Sequence, residues 1–360
     1  MNRIIGILII TFSLSITFGQ SVGDKEKAFE YGMEAVKIMD EGKLDEAIKL
    51  LRKAEKLDPE RIDYPYEIAY AFYSQKKYKK AIKELLKTIT HKDVTDQHFQ
   101  LLGNSYDNIN KPDEALKVYK KGLEKFPKSG KLYLEQGIVE YFRENYNEAI
   151  SYWEKGIEVD PAFASNYYWL GKIFSFTDER IWAVLYGEVF INMERNSQRT
   201  IEMSKILFDT YKKSIYVTSD TSGGVNFSKV MQIDPTKEFK IPFQMIYGLT
   251  MTMSLATEII NKEPDISISS INNLRQSFIT NWFAQARDKD YPNLLFDFQK
   301  LLDEKGYLEA YNYWFLMKGD EVEFLKWHRI NEAKFNEFAD WFNNNPLIIN
   351  ENNYFSRLKY

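Results

Sequence analysis

Apolar side chains recur in the first half of the chain with a spacing that predicts amphipathic helices. In "GKLDEAIKLLRKAEKLDPE", residues 42–60, Ala47, Leu51 and Ala54 share one helix face because they are four and three residues apart. Three further sets have the same order of small, large and small side chains: Ala81, Leu85 and Thr88; Ala115, Tyr119 and Gly122; Ala149, Trp153 and Gly156. Successive alanines lie 34 residues apart. A fixed period of this size is typical of stacked repeats.

A second predicted helix precedes each of these, with an apolar stripe of its own. The stripes are Tyr31 and Ala35; Ile68, Ala69 and Phe72; Phe99, Leu102, Gly103 and Tyr106; Tyr133 and Gly137. Polar turns, "DEGK", "SQKK", "NKPD" and "RENY", separate the two helices of each pair. Pro59, Pro127 and Pro161 close three of the units, since proline has no amide hydrogen to continue a helix. The predicted unit is a helix, a short turn and a second helix.

This pattern resembles the tetratricopeptide repeat, and the third unit matches it best. Phe99, Leu102, Gly103, Tyr106, Ala115, Tyr119 and Pro127 fall at the spacings of that repeat. The second unit departs from it at Asp93 and Pro65, and the first at Glu34. The resemblance implies an all-α fold with a right-handed α-solenoid over residues 25–195. It comprises four clear repeats and a degenerate fifth, in which Gly187 and Arg195 replace a large side chain and proline.

The resemblance also implies where a partner binds, because the first helices of such repeats line the concave side. The residues placed there are Tyr66, Tyr70, Tyr73, Asn104, Asp107, Tyr141, Tyr168 and Lys172. Tyrosine rings with amides and carboxylates suit an extended peptide. Intramolecular packing is the alternative role for these tyrosines, and exposure distinguishes the two. Some relatives hold a peptide's terminal carboxylate in a basic clamp, which Gln100, Lys131 and Glu135 do not complete here.

The period disappears after residue 195, and residues 196–360 are predicted to form a mainly helical C-terminal domain. Residues 196–216 predict one more amphipathic helix, followed by a loop or irregular hairpin around 216–238. Helical patterns resume at about 240–262, 270–288, 292–304, 306–318 and 320–344. The last has an aromatic stripe that predicts docking on a core. Whether these helices continue the solenoid stays open.

The first 19 residues have the pattern of a secretory signal peptide cleaved near Gly19. Arg3 precedes a run of fifteen apolar or small residues, 4–18. A retained anchor is the alternative, but a helix of that length spans only about 22 Å of the roughly 30 Å hydrocarbon core. The chain has no cysteine. With its high Lys, Ile, Asn and Tyr content, this predicts a bacterial protein, periplasmic or secreted, without a stable membrane anchor after cleavage.

Composition and motifs indicate neither nucleic acid binding nor catalysis. The 48 basic and 52 acidic residues are interspersed, so there is no basic patch for nucleic acid. The stretch "DTSGG", residues 220–224, is similar to one turn of an aspartic peptidase, but that chemistry needs two. His91, His98 and Asp93 are assigned to an exposed turn rather than a metal site, and His328 to an aromatic core face. No catalytic residue, metal or cofactor is predicted.

The sequence therefore predicts a non-catalytic scaffold that binds a protein or peptide in the cell envelope or outside the cell. One alternative is a C-terminal ligand-binding or hydrolase domain that the repeats deliver; a deep pocket with convergent polar groups would favour it. Another is a self-associating structural protein. The partner's identity and the oligomeric state stay open.

Overall fold

The computed structural model describes residues 4–219, 222–229, 241–258 and 266–360, with side chains described from residue 21 except at 219, 222, 257 and 258. The backbone of residues 4–19 belongs to the first helix; the side chains of the predicted signal peptide lie outside the described residues, as do Asp220 and Thr221 of the "DTSGG" stretch. Among the described residues, no helix is both long enough and apolar enough to cross a membrane.

Contacts divide the chain into two units, Met1–Arg143 and Glu144–Tyr360. The first unit contains α1 (Ile4–Asp40), α2 (Leu44–Leu57), α3 (Asp63–Ser74), α4 (Tyr78–Leu85), α5 (Asp96–Asp107), α6 (Pro112–Lys125) and α7 (Gly130–Phe142). The odd-numbered helices are the predicted first helices of the repeats, and the even-numbered ones are the second helices. Neighbouring helices pack pairwise from α1 to α7.

The second unit contains ten α-helices, a 3-10 turn and a hairpin in its described part. They are α8 (Tyr146–Val159), α9 (Ala164–Phe174), α10 (Arg180–Met193), α11 (Gln198–Ser214), β1 (Ile215–Ser219), β2 (Ser222–Val225), α12 (Phe243–Glu258), α13 (Ile268–Ala284), α14 (Arg287–Asp290), α15 (Leu294–Glu304), α16 (Leu308–Leu316), α17 (Glu321–Asn344) and a 3-10 turn, Arg357–Lys359. β1 and β2 are antiparallel, with Ile215 opposite Val225 and an irregularity between Val217 and Ser219.

The periodic small residues are buried, as their spacing predicts. Ala47, Ala81, Ala115 and Ala149 have no exposed surface. A side chain at Gly103 would place its Cβ 2.1 Å from the Tyr119 ring, so only glycine permits this approach of α5 and α6. Burying a leucine such as Leu51 or Leu85 stabilises each hairpin by roughly 1.5–3 kcal/mol. The repeats therefore pack through the predicted stripe.

The fifth repeat is joined to the C-terminal helices rather than ending the array. Gly187 replaces the usual large side chain because Met203 and Leu207 of α11 fill its place; a Cβ there would lie 2.7 Å from the Met203 sulfur. α11 also keeps the repeat phase, since α9 begins at residue 164 and α11 at residue 198. The predicted helix after the array thus lies at the position that the first helix of a further repeat would have, but it is followed by β1 and not by a second helix.

A buried ion pair fixes this part of the second unit. Glu188 on α10 is fully buried and accepts hydrogen bonds from Arg275 on α13, at 2.7 and 3.0 Å, and from Gln299 on α15, at 2.7 Å. The Tyr311 hydroxyl on α16 also donates to it, at 2.8 Å. Since α10 is held to three C-terminal helices in this way, it belongs to the second unit, which begins at Glu144.

Candidate functional site

Six of the eight predicted groove residues lie on three first helices of the first unit. Tyr70 on α3 is 47% exposed, and the other five are half-buried: Tyr66, Tyr73, Asn104, Asp107 and Tyr141. The partly accessible face that α3, α5 and α7 present through these residues is called the tyrosine face below. Tyr66 and Tyr73 also pack against the core of the repeats, so Tyr70 is the exposed tyrosine of this face.

Two of the tyrosines are fixed in place by His98 on α5 and by Asn108, the residue that follows α5. The Tyr66 ring packs on the His98 ring, with centroids 4.6 Å apart, and burial raises the Tyr66 pKa to about 12. The Tyr73 hydroxyl accepts a hydrogen bond of 3.2 Å from the Asn108 amide. Because these rings are already ordered, little side-chain entropy is lost when a partner binds to them.

Glu135 on α7 lies at the centre of the polar contacts of this face. Gln100 Nε2 donates to its carboxylate at 2.7 Å. The amide orientation of Asn104 that satisfies its neighbours directs its nitrogen at Glu135, 3.2 Å away. Burial raises the pKa of the Glu135 carboxyl, the two amide hydrogen bonds oppose the rise, and the charge of Asp107 adds to it. No lysine or arginine of the described residues forms an ion pair with Glu135.

Two more carboxylates on these helices are desolvated. Burial raises the pKa of Asp107 on α5, with the Arg143 charge opposing it, and burial and the Asp63 charge raise that of Glu67 on α3. Nearby cations are engaged elsewhere: Lys131 with Asp96 at 3.4 Å, Arg61 with Asp63 at 2.7 Å and Arg143 with Asp113 at 2.6 Å. The tyrosine face thus offers acceptors to a partner that brings hydrogen-bond donors or positive charge.

The placement of Tyr168 in an open groove is wrong. Tyr168, on α9 of the second unit, is only 5% exposed, and its hydroxyl donates to Glu202 on α11 at 2.5 Å. Lys172 is half-buried and forms an ion pair of 2.7 Å with the same carboxylate. The physical reason is that α11 continues the repeat phase, so Glu202 meets the face that the sequence suggested was free.

Sequence reasoning missed an apolar surface at the start of the first unit. Phe29, Met33 and Val36 on α1 are 48%, 50% and 40% exposed and line a cavity of about 200 Å³ together with Glu67. Their spacing of four and three residues on one helix face was the available signal. Sequence reasoning also missed the role of Glu135 as a hydrogen-bond acceptor on this face, because it compared this residue only with the basic clamp of other family members.

The histidines have structural surroundings. His98 is buried and not on an exposed turn: its Nδ1 meets the Thr95 backbone amide at 3.3 Å in a capping box that begins α5. His91 Nδ1 accepts from the Asp93 amide at 3.2 Å. His328 is half-buried against the Phe335 ring, with centroids 4.8 Å apart. Within the described ranges, no three acidic or histidine side chains converge as metal ligands.

Comparison with known proteins identifies the repeats. Models of the tetratricopeptide repeat match residues 39–104 and 101–166. Tetratricopeptide repeat protein 21B of Mus musculus is 29% identical over 118 residues, which are 33% of this chain and 9% of that protein. Hsp70-Hsp90 organizing protein 2 of Arabidopsis thaliana is 27% identical over 117 residues, 32% of this chain and 20% of that one. The chain therefore matches less than a quarter of the length of these relatives.

The solved structure of PilF from Pseudomonas aeruginosa is similar to 53% of this chain and 86% of its own, with 18% identity and a TM-score of 0.46. The helical hairpins at a 34-residue period, the buried alanines and the two matching family models agree with one another. Residues 39–166 of this chain are tetratricopeptide repeats, and the fold is an all-α solenoid.

Proposed function

We propose that the chain is a non-catalytic scaffold that binds an extended segment of another protein on the tyrosine face. The observation that carries this proposal is the combination of partly exposed tyrosines with three half-buried carboxylates, Glu67, Asp107 and Glu135, that form no ion pair among the described residues. The rings bury apolar side chains of a peptide, and the carboxylates accept hydrogen bonds from it. The name of the Arabidopsis relative, an organizing protein for Hsp70 and Hsp90, supports a scaffold role.

The charge of the face selects the kind of segment. Glu67, Asp107 and Glu135 each have a pKa raised by burial, so a cation brought beside them relieves an electrostatic cost. An acidic peptide would add to that cost. The amides of Gln100 and Asn104 already donate to Glu135 and are not free to hold a terminal carboxylate. We therefore propose a segment with lysine or arginine among apolar residues.

Peptide selection on the full chain tests this proposal. A random peptide display library is selected against the wild type and against a Tyr70→Ala/Tyr141→Ala variant. The wild type is expected to enrich peptides with lysine or arginine beside apolar residues, and the double variant to bind them at least tenfold more weakly with unchanged helicity. Tyr146→Ala is the matched control, since Tyr146 is 48% exposed and lies on α8. Equal binding by wild type and double variant, or enrichment of acidic peptides, would contradict the proposal.

The absence of catalysis is part of the proposal. The sequence has no Gly-x-Ser-x-Gly, His-Glu-x-x-His or phosphate-binding glycine loop. On the tyrosine face, the Glu135 carboxylate accepts hydrogen bonds from the amides of Gln100 and Asn104. A peptide that stays intact during prolonged incubation with the protein would agree with this; its cleavage would contradict it.

We also propose that the chain is exported, on the pattern of residues 1–19 and the absence of cysteine. The amino-terminal sequence of the protein purified from its native cells tests this proposal. Cleavage near Gly19 in the envelope or external fraction is the expected result. An intact Met1 in the cytoplasmic fraction would contradict it.

A further inference from the structure

A separate cavity of about 380 Å³ lies in the second unit, where the turn between α10 and α11 meets the end of α16. Its apolar lining includes Ile191, Ile201, Trp314 and Phe315. Arg195, the residue that replaces the expected proline of the fifth repeat, also lines it. The volume is within the usual range of ligand pockets, and at about 30 Å³ per water-sized group it holds roughly a dozen non-hydrogen atoms.

Arg195 is a partly buried cation without an acidic partner in the described part of the chain. Its guanidinium stacks on the Phe342 ring, 3.6 Å from the centroid. Nη1 donates to the Phe342 carbonyl at 2.8 Å and Nε to the Asn192 carbonyl at 3.2 Å. Nη2 is buried and makes no hydrogen bond to a described residue. Burial lowers the pKa of Arg195, and the Tyr311 phenol opposes this.

The other charged groups beside the cavity are compensated. Glu194 pairs with Arg199 and accepts from the Ser197 hydroxyl. Lys318 lines the cavity but forms an ion pair of 2.9 Å with Glu321. The charge left over next to the apolar walls is therefore positive, and burying such a charge without a counter-ion is costly.

We propose that this cavity binds an apolar molecule that carries one carboxylate, with its apolar body against Trp314, Phe315 and Ile201 and its charge towards Arg195. The Coulombic attraction acts without direct contact. A hydrogen bond to Nη2 requires the side chains that cover it to shift slightly. The carboxylate comes from a free amphiphilic acid or from the last residue of an apolar peptide, since both present the same chemistry.

Calorimetric titration of the full chain tests the site with two matched pairs of probes. Decanoate is compared with decan-1-ol, and acetyl-alanyl-phenylalanine with its C-terminal amide. At least one acid is expected to bind tenfold or more tightly than its neutral counterpart. A preference confined to decanoate identifies a free amphiphile, and one confined to the peptide acid identifies a chain terminus; both support the site.

Two variants locate the binding. Arg195→Met is expected to weaken binding of the preferred acid at least tenfold and to leave the affinity for the neutral probe unchanged. Arg195 also donates a hydrogen bond to the Phe342 carbonyl, so Arg195→Met removes a contact within the fold. If that variant does not fold, Ile201→Glu tests the site instead. Ile201 is 42% exposed, so glutamate there places a negative charge at the cavity with little effect on folding. Ile330→Glu is the control, because Ile330 is 84% exposed and does not line the cavity.

Three results would overturn the proposal: no probe binds, the neutral probes bind as tightly as the acids, or Ile201→Glu binds the acid as the control does. The outcome is independent of the tyrosine face, since the Tyr70→Ala/Tyr141→Ala variant is expected to bind the acid with unchanged affinity.

Discussion

Glu135 shows how single residues give the tyrosine face its chemical character. Its carboxylate accepts hydrogen bonds from the amides of Gln100 and Asn104. A cation in their place would lower the free-energy cost of burying the negative charge further. A partner's cation can occupy the position that no described lysine or arginine takes. The cost of keeping this carboxylate charged is then partly recovered on binding.

Replacing Glu135 by glutamine is expected to stabilise the protein more near pH 7 than near pH 4. The folded pKa of Glu135 lies above its unfolded value, so the protonated form is favoured by folding. Its contribution to stability is fully present below the unfolded pKa and is lost as the pH rises through the folded one. Thermal unfolding at the two pH values measures the difference between variant and wild type.

The matched control is Glu148→Gln on the exposed surface of α8. Its effect on the melting temperature is expected to be small at both pH values. A Glu135→Gln variant that is less stable near pH 7 than near pH 4, relative to wild type, would show that Glu135 makes favourable charged contacts and would contradict the description of the site.

Among the secondary-structure elements, the turn between the two helices of each of the four clear repeats contains one residue with a positive φ, and these residues lie 34 positions apart. Gly42, Lys76, Asn110 and Glu144 all have positive φ, between 58° and 79°. In the second repeat, the Lys76 amide bonds to the Tyr73 carbonyl and the Lys77 amide to the Phe72 carbonyl, both at 2.8 Å. These bonds form the left-handed cap that glycine favours at a helix end. α15 ends in the same way at Gly306.

Lys76→Gly is therefore expected to stabilise the protein by about 1 kcal/mol, because lysine is strained in the left-handed region and glycine is not. Lys79→Gly is the matched control. Lys79 is exposed in the first turn of α4, where glycine is expected to destabilise the helix. Urea unfolding measures both free energies. Equal destabilisation by the two substitutions would refute the strain at Lys76.

Across the whole molecule, the sequence predicts the helices and repeats, because these depend on the spacing of residues that are close together in the chain. The alanine period gave the repeats, and the C-terminal helical patterns gave α12, α13, α15, α16 and α17 nearly at their observed bounds. The link between Glu188 and Arg275 was not predictable, because it joins residues 87 apart that no period relates. Tyr168 was misplaced for a related reason: α11 keeps the repeat phase without the repeat's characteristic residues.

The proposed partner of the tyrosine face is a basic, partly apolar segment. Photo-crosslinking locates this binding, with p-benzoylphenylalanine placed at position 70 or at position 146 of the full chain and a labelled peptide from the selection. We expect crosslinking from position 70, competed by excess unlabelled peptide, and none from position 146. Crosslinking from position 146 alone, or equally from both, would contradict this proposal.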